Sequence, residues 1–160
     1  MTRGYGDVVQ SGCEDQEAPP AGAAMVRSRS EIAEVCAPAA RARRRAAEKS
    51  LDSDAAPGER LAAARDAEFL EGVMLTLAWA RGDRAEAPIT RAQPAQVTAR
   101  ALQHERVYAQ DAIEQGHDQW AADWLPSRWY GEGVRQAISW LLGDESVPPL
   151  ARPVQTGEPQ

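Results

Sequence analysis

At 160 residues the chain is long enough to bury one compact core, and its net charge of −6 speaks against a whole-surface nucleic-acid binder, which needs positive potential. Two cysteines, Cys13 and Cys36, exclude a disulfide framework and fit a reducing compartment. No apolar run reaches membrane-spanning length and the N-terminus lacks a signal-peptide core, so the chain reads as cytoplasmic with no membrane contact.

Residues 1–29 combine Gly4, Gly6, Gly12, Pro19, Pro20 and Gly22 with few bulky apolar side chains, a composition that cannot offset its ordering entropy and predicts a disordered tail. Met25 stands near its end, ahead of Ser28 and Glu31 in capping-box spacing, and is a conceivable alternative start. From Ser30 to Ser50 the Ala, Glu and Arg content predicts a helix that Pro38 either kinks or divides. This segment carries the one basic cluster, Arg41, Arg43, Arg44, Arg45 and Lys49, and a local net charge of +2 over residues 30–49. Such a cluster is either a solvated helix face or an electrostatic arm for nucleic acid or an acidic partner, without interleaved aromatics for base stacking. The remainder is anionic: residues 50–160 hold ten arginines against seventeen carboxylates, so the acidic part could also pair with the arm in cis.

After a break at Asp52–Gly58, a second helix is expected over Glu59–Arg81, with Phe69, Gly72, Val73, Thr76, Leu77 and Ala80 on one face and Gly82 as its stop. A loop follows to Gln93. Pro94 then suits the first turn of a third helix reaching Gln115, whose buried stripe would include Leu102, Ala109 and Ile113. Beyond a short segment with Trp120 and Trp124, Pro126 or Ser127 starts a fourth helix that runs to Leu142 and stops at Gly143. Its face is Tyr130, Gly133, Val134, Ala137, Ile138 and Leu141. Residues 151–160 read as a frayed tail. No alternating strand pattern occurs.

The stretch Glu71-Gly72-Val73…Trp79…Gly82-Asp83…Pro88-Ile89 returns, without a gap, as Glu132-Gly133-Val134…Trp140…Gly143-Asp144…Pro149-Leu150, an offset of 61 residues. Seven of nineteen paired positions are identical, which predicts an internal repeat of about 37–89 and 95–150. The expected fold is therefore all-α: two duplicated helical hairpins closing a compact four-helix-type bundle over residues 30–150. A mid-helix glycine costs about 1 kcal/mol relative to alanine, so its recurrence points to close helix approach or to a groove. Gly72, Val73, Trp79, Gly133, Val134 and Trp140 form the expected packing or interaction face.

Two constellations bear on chemistry. Glu68 and Glu71 form the E-x-x-E pair that all-α nucleoside-triphosphate pyrophosphatases use to hold Mg²⁺, with Asp111 and Glu114 as a candidate second pair; surface charge explains the same residues. Glu114 and His117 have the E-x-x-H spacing of di-iron bundles, but His104 lacks the matching glutamate and Gly116 intervenes. No nucleophile triad, phosphate loop or zinc cluster is present. The pattern G-V-x-x-(A/T)-(L/I)-x-W-x-x-G-(D/E), followed by Pro and an aliphatic and clearest over Gly133–Leu150, resembles short uncharacterised helical proteins of high-GC bacteria and their phages. The resemblance covers residues 95–150 and, more weakly, the second helix; it implies a small intracellular helical module and brings no activity or site residues.

The sequence thus favours a non-catalytic interaction or regulatory protein that binds a protein partner or itself, without cofactor or metal. Two alternatives are a nucleic-acid-associated regulator using the 41–49 segment and a metal-dependent nucleotide phosphohydrolase using Glu68, Glu71, Asp111 and Glu114.

Overall fold

The structure, a computed structural model, describes residues 25–153. They form four helices, α1 (Arg29–Leu51), α2 (Pro57–Arg81), α3 (Ala99–Gln115) and α4 (Arg128–Leu142), packed into an all-α bundle. Extended pairing among the described residues is limited to an isolated bridge between Ala122 and Leu125. None of these helices is long and apolar enough to cross a membrane.

Each helix begins where its local chemistry directs. At α1 the Ser28 hydroxyl accepts from Glu31 N–H while the Glu31 carboxylate accepts from Ser28 N–H, the reciprocal box expected from their spacing. These hydrogen bonds to Ser28 hold the Glu31 carboxyl below the usual range. Pro38 neither divides nor ends α1. Ile32, Val35 and Ala39, buried on both sides of it, secure the helix through the turn that lacks its proline N–H. Pro57 occupies the first turn of α2, two residues before the expected start. Pro94, by contrast, opens nothing: α3 starts at Ala99 because the Thr98 hydroxyl caps Ala101 N–H. Ser127 caps α4 through Tyr130 N–H.

Close packing joins α1 to α2, α2 to α4 and α4 to α3, so the spatial order is α1–α2–α4–α3. The central pair carries most of the core, with Phe69, Val73, Leu77 and Trp79 from α2 and Tyr130, Val134, Ile138 and Leu141 from α4. Because α2 is flanked on two sides, its buried residues spread over a wide arc instead of one stripe.

Two glycines set the α2–α4 distance. A Cβ on Gly72 would overlap the Tyr130 carbonyl oxygen and lie 3.0 Å from Val134 N; one on Gly133 would overlap the Phe69 carbonyl oxygen and lie 2.9 Å from Phe69 C. Phe69 and Tyr130 are themselves 61 residues apart, as are Gly72 and Gly133. The repeat therefore maps one contact onto the other, as a local twofold axis would. The helix ends match as well. Gly82 and Gly143 both have φ of 83°, Asp83 N–H donates to Ala78 O and Asp144 N–H to Ser139 O, each at 2.9 Å. The correspondence does not extend to the outer helices, since α1 has 23 residues and α3 has 17.

A third glycine, Gly131, has no counterpart in α2. It lets α3 close on α4: a Cβ there would lie 3.0 Å from both Ala109 O and Ala112 Cβ. Accordingly Ala112 is buried while Ile113 is only half-buried, a shift of the expected α3 stripe.

The expected tail boundaries move outward. Residues 1–24 and 154–160 lie outside the described residues, but 25–29 and 151–153 are tied down. Val26 N–H donates to Leu141 O at 3.1 Å, and the Arg27 guanidinium lies 5.0 Å over the Trp140 ring while donating to Trp140 O and Glu145 O. At the other end Arg152 pairs with Asp66 at 3.0 Å.

Candidate functional site

All of Gly72, Val73, Trp79, Gly133, Val134 and Trp140 are buried within the chain. They make the α2–α4 seam and its flanks, so this face holds the protein together and is not a surface that a partner reaches. Thr76 completes the seam, its hydroxyl donating back to Gly72 O at 2.7 Å.

The four carboxylates of the phosphohydrolase alternative are dispersed. Glu68 is half-buried and accepts from the Ser127 hydroxyl, and its burial pushes the carboxyl above the usual range. Glu71 pairs with Arg43 on α1. Asp111 is exposed on α3, and Glu114 accepts from the Gln110 amide at 3.1 Å. His117 follows the helix stop at Gly116, its carbonyl accepting from Arg128 N–H. Among the described residues no three His, Cys, Asp or Glu side chains gather as a metal-ligand set. Trp129, 61 residues after Glu68, instead packs under three guanidinium groups, Arg65, Arg128 and Arg152, at 4.8, 4.1 and 4.7 Å from its ring. This stack ties the N-terminal half of α2 and the start of α4 to the segment after Pro149.

The basic arm is divided. Arg43 turns toward α2 and pairs with Glu71, and Lys49 reaches Glu59 at 4.0 Å. Arg41, Arg44 and Arg45 remain exposed along α1.

A groove of about 450 Å³ opens between α3 and the segment that precedes α4. One wall is the α3 face His104, Tyr108, Asp111 and Gln115, residues three or four apart and therefore on one side of the helix. The facing wall is Trp124, Leu125 and Pro126, and Ile89 and Thr90 close the groove. Each part is held in place. Ala121 N–H donates to Leu125 O at 3.1 Å, Arg128 N–H to His117 O at 2.8 Å, and the Arg128 guanidinium pairs with Asp118 at 3.1 Å, which together shape the 117–127 segment. The segment's Trp120 packs edge-on against Tyr130, with ring centroids 4.9 Å apart. Buried Glu105 fixes the Ile89–Thr90 turn by accepting from both backbone N–H groups and from the Thr90 hydroxyl. Behind the turn Tyr130 O–H donates to Pro88 O at 2.9 Å, and burial raises that phenol's pKa.

On this frame the aromatic edges stand open: Trp124 is 74% exposed and Tyr108 44%. His104 packs against Tyr108 with centroids 5.2 Å apart. No arginine or lysine lines the groove. The sequence pattern puts Trp120 and Trp124 in a short connecting segment and does not single out Tyr108. A compositional signal was nonetheless there. Residues 107–127 contain Asp111, Glu114, Asp118 and Asp123 and three aromatic residues, but no arginine or lysine, in an otherwise arginine-rich chain.

The chain matches no protein-family profile, no curated protein and no solved structure.

Proposed function

We propose that this protein is a non-catalytic helical interaction module of the cytoplasm, built on a duplicated hairpin, that docks a protein partner in the groove between α3 and residues 117–127. The observation that supports this reading is the exposure of Trp124 and Tyr108 along one groove whose walls are hydrogen-bonded to the rest of the chain. Large aromatic side chains contribute most to binding when they sit in a preformed hollow, because little is lost in ordering them. The α2–α4 seam serves as scaffold: it positions α3 and the 117–127 segment and is consumed in doing so.

The test is site-specific photo-crosslinking in the native host. A photoreactive residue at position 124 should give one discrete adduct, and Tyr108→Ala should abolish it. The same residue at the exposed position Leu61, on α2, should give none. Adducts of equal yield from both positions, or no adduct from 124, would refute the reading.

A second reading rests on the three exposed arginines of the basic cluster on α1. Were Arg41, Arg44 and Arg45 to contact nucleic acid, retention on DNA would fall steeply with salt and vanish in the triple alanine variant.

A further inference from the structure

We infer that the occupant of the groove is a basic segment of a protein partner, which inserts an arginine side chain between Trp124 and Tyr108 and pairs it with Asp111. The inference rests on the docking reading above and names the chemistry of the partner.

Three observations carry it. The first is charge. Between Arg106 and Arg128 the chain has four carboxylates and no arginine or lysine. Asp111 lies in the groove itself, and Glu114, Asp118 and Asp123 are exposed on the same stretch. Asp118 is engaged by Arg128, which leaves the groove side acidic. A cation is the ligand that such a surface attracts, and an anionic or neutral apolar segment is the one it repels or ignores.

The second is the aromatic lining. A guanidinium group stacks on the face of tryptophan or tyrosine and is more weakly hydrated than an ammonium, so it loses less on leaving water. Its planar array of N–H donors also matches the acceptors at hand, namely the Asp111 carboxylate and the Gln115 carbonyl.

The third is the protein's own use of this contact. Trp129 is covered by three guanidinium groups and Trp140 by Arg27. Trp124 is 74% exposed, and no cation lies over it among the described residues. A partner's arginine would complete at Trp124 what the chain supplies internally at Trp129 and Trp140.

The experiment uses the full chain and fluorescein-labelled synthetic peptides of sequence Ser-Gly-Arg-Gly-Arg-Gly-Ser, followed by anisotropy at low and physiological salt. One control peptide carries citrulline, the uncharged isostere, at both arginine positions, and another carries glutamate. The arginine peptide should bind, with at least tenfold weaker binding of the citrulline peptide and none of the glutamate peptide. Asp111→Asn should weaken it several-fold, Trp124→Ala should abolish it, and salt should weaken it further. Circular dichroism of both variants should match that of the unaltered chain, since both side chains are exposed.

Equal affinity for arginine and citrulline peptides, or no binding of the arginine peptide up to millimolar concentration, overturns the inference. A crosslinked adduct at position 124 with a partner segment free of basic residues also overturns it, while leaving the docking reading intact. Concentration-dependent self-association of the chain, abolished by Asp111→Asn and by glutamate at positions 41, 44 and 45, would assign the groove to α1 of a second copy and overturn the separate partner.

Discussion

Glu105 shows how much one side chain decides. It lies in the middle of α3, is 1% exposed, and is the acceptor for three donors of the Ile89–Thr90 turn. A buried carboxylate is tolerated when its oxygens are occupied in this way, and the turn depends on it in return. Glu105→Ala should therefore orphan two backbone N–H groups and a hydroxyl and cost about 2–4 kcal/mol in chemical denaturation. Glu105→Gln, which keeps one carbonyl acceptor, should cost less. Glu68 gives a second prediction at this scale, with a sign that follows from its environment. Burial raises its folded-state pKa, opposed in part by the Ser127 hydroxyl. The folded protein then binds the proton more tightly than the unfolded chain does. Glu68 thus favours the fold at acid pH, and that advantage is lost as pH rises through the ordinary glutamate range, about 4.3, and above it. Glu68→Gln removes this titration. Its melting temperature relative to the unaltered chain should rise with pH across that range and then level off; a constant difference would show that Glu68 is not desolvated.

At the scale of elements, the α2–α4 seam is governed by backbone contact. An exposed helical glycine is improved by alanine, which favours helix by about 1 kcal/mol. At Gly133 the new methyl would overlap the Phe69 carbonyl, part of a rigid helix that cannot rotate away. The steric cost should outweigh the propensity gain, and Gly133→Ala should destabilise the fold by about 1–3 kcal/mol net. Gly72→Ala should do the same against Tyr130. Because either substitution forces the same two helices apart, the double variant should lose less than the sum of the two, a coupling that a double-mutant cycle on thermal unfolding would measure. Additivity would mean that each glycine is accommodated by a separate local shift. Gly58 is the internal control, since nothing lies within 4 Å of a Cβ built there and alanine should be tolerated.

For the whole molecule, the serial order α1–α2–α4–α3 leaves α1 and α3 without close packing on each other, so the segments flanking the helices, residues 26–27 and 152, contribute to holding the array together. Residues 26–27 cross to the C-terminal end of α4, where Arg27 covers Trp140 and satisfies two carbonyls. Arg27→Ala should cost about 1–2 kcal/mol and should raise amide hydrogen exchange at residues 141–145 before that of α3. Uniform acceleration across all four helices would indicate that this contact is part of one global unfolding unit.

Much of this was legible in the chain itself. Helical class, four elements, the box at Ser28 and Glu31 and the stops at Gly82, Gly116 and Gly143 follow from interactions within a few residues, so local sequence determines them. The recurrence of a mid-helix glycine at positions 72 and 133 pointed to the close approach found at both, because a missing side chain in a helix interior implies a near neighbour. What lies between distant segments was decided by tertiary structure alone. Pro94 was a good helix start locally, yet the 83–98 segment is drawn into a loop by burial of Ala87 and Pro88 and by the grip of Glu105 and Tyr130 on that turn. Arg65 and Arg152 reach Trp129 from two distant segments, joining its neighbour Arg128, and no local pattern announces a meeting of that kind. The groove arises likewise: α3 contributes one wall, residues 124–126 the other, and Gly131 sets how closely α3 approaches α4. Sequence determines what each segment prefers within the reach of its own backbone hydrogen bonds, whereas packing determines which aromatic side chains are buried and which are left at the surface to bind.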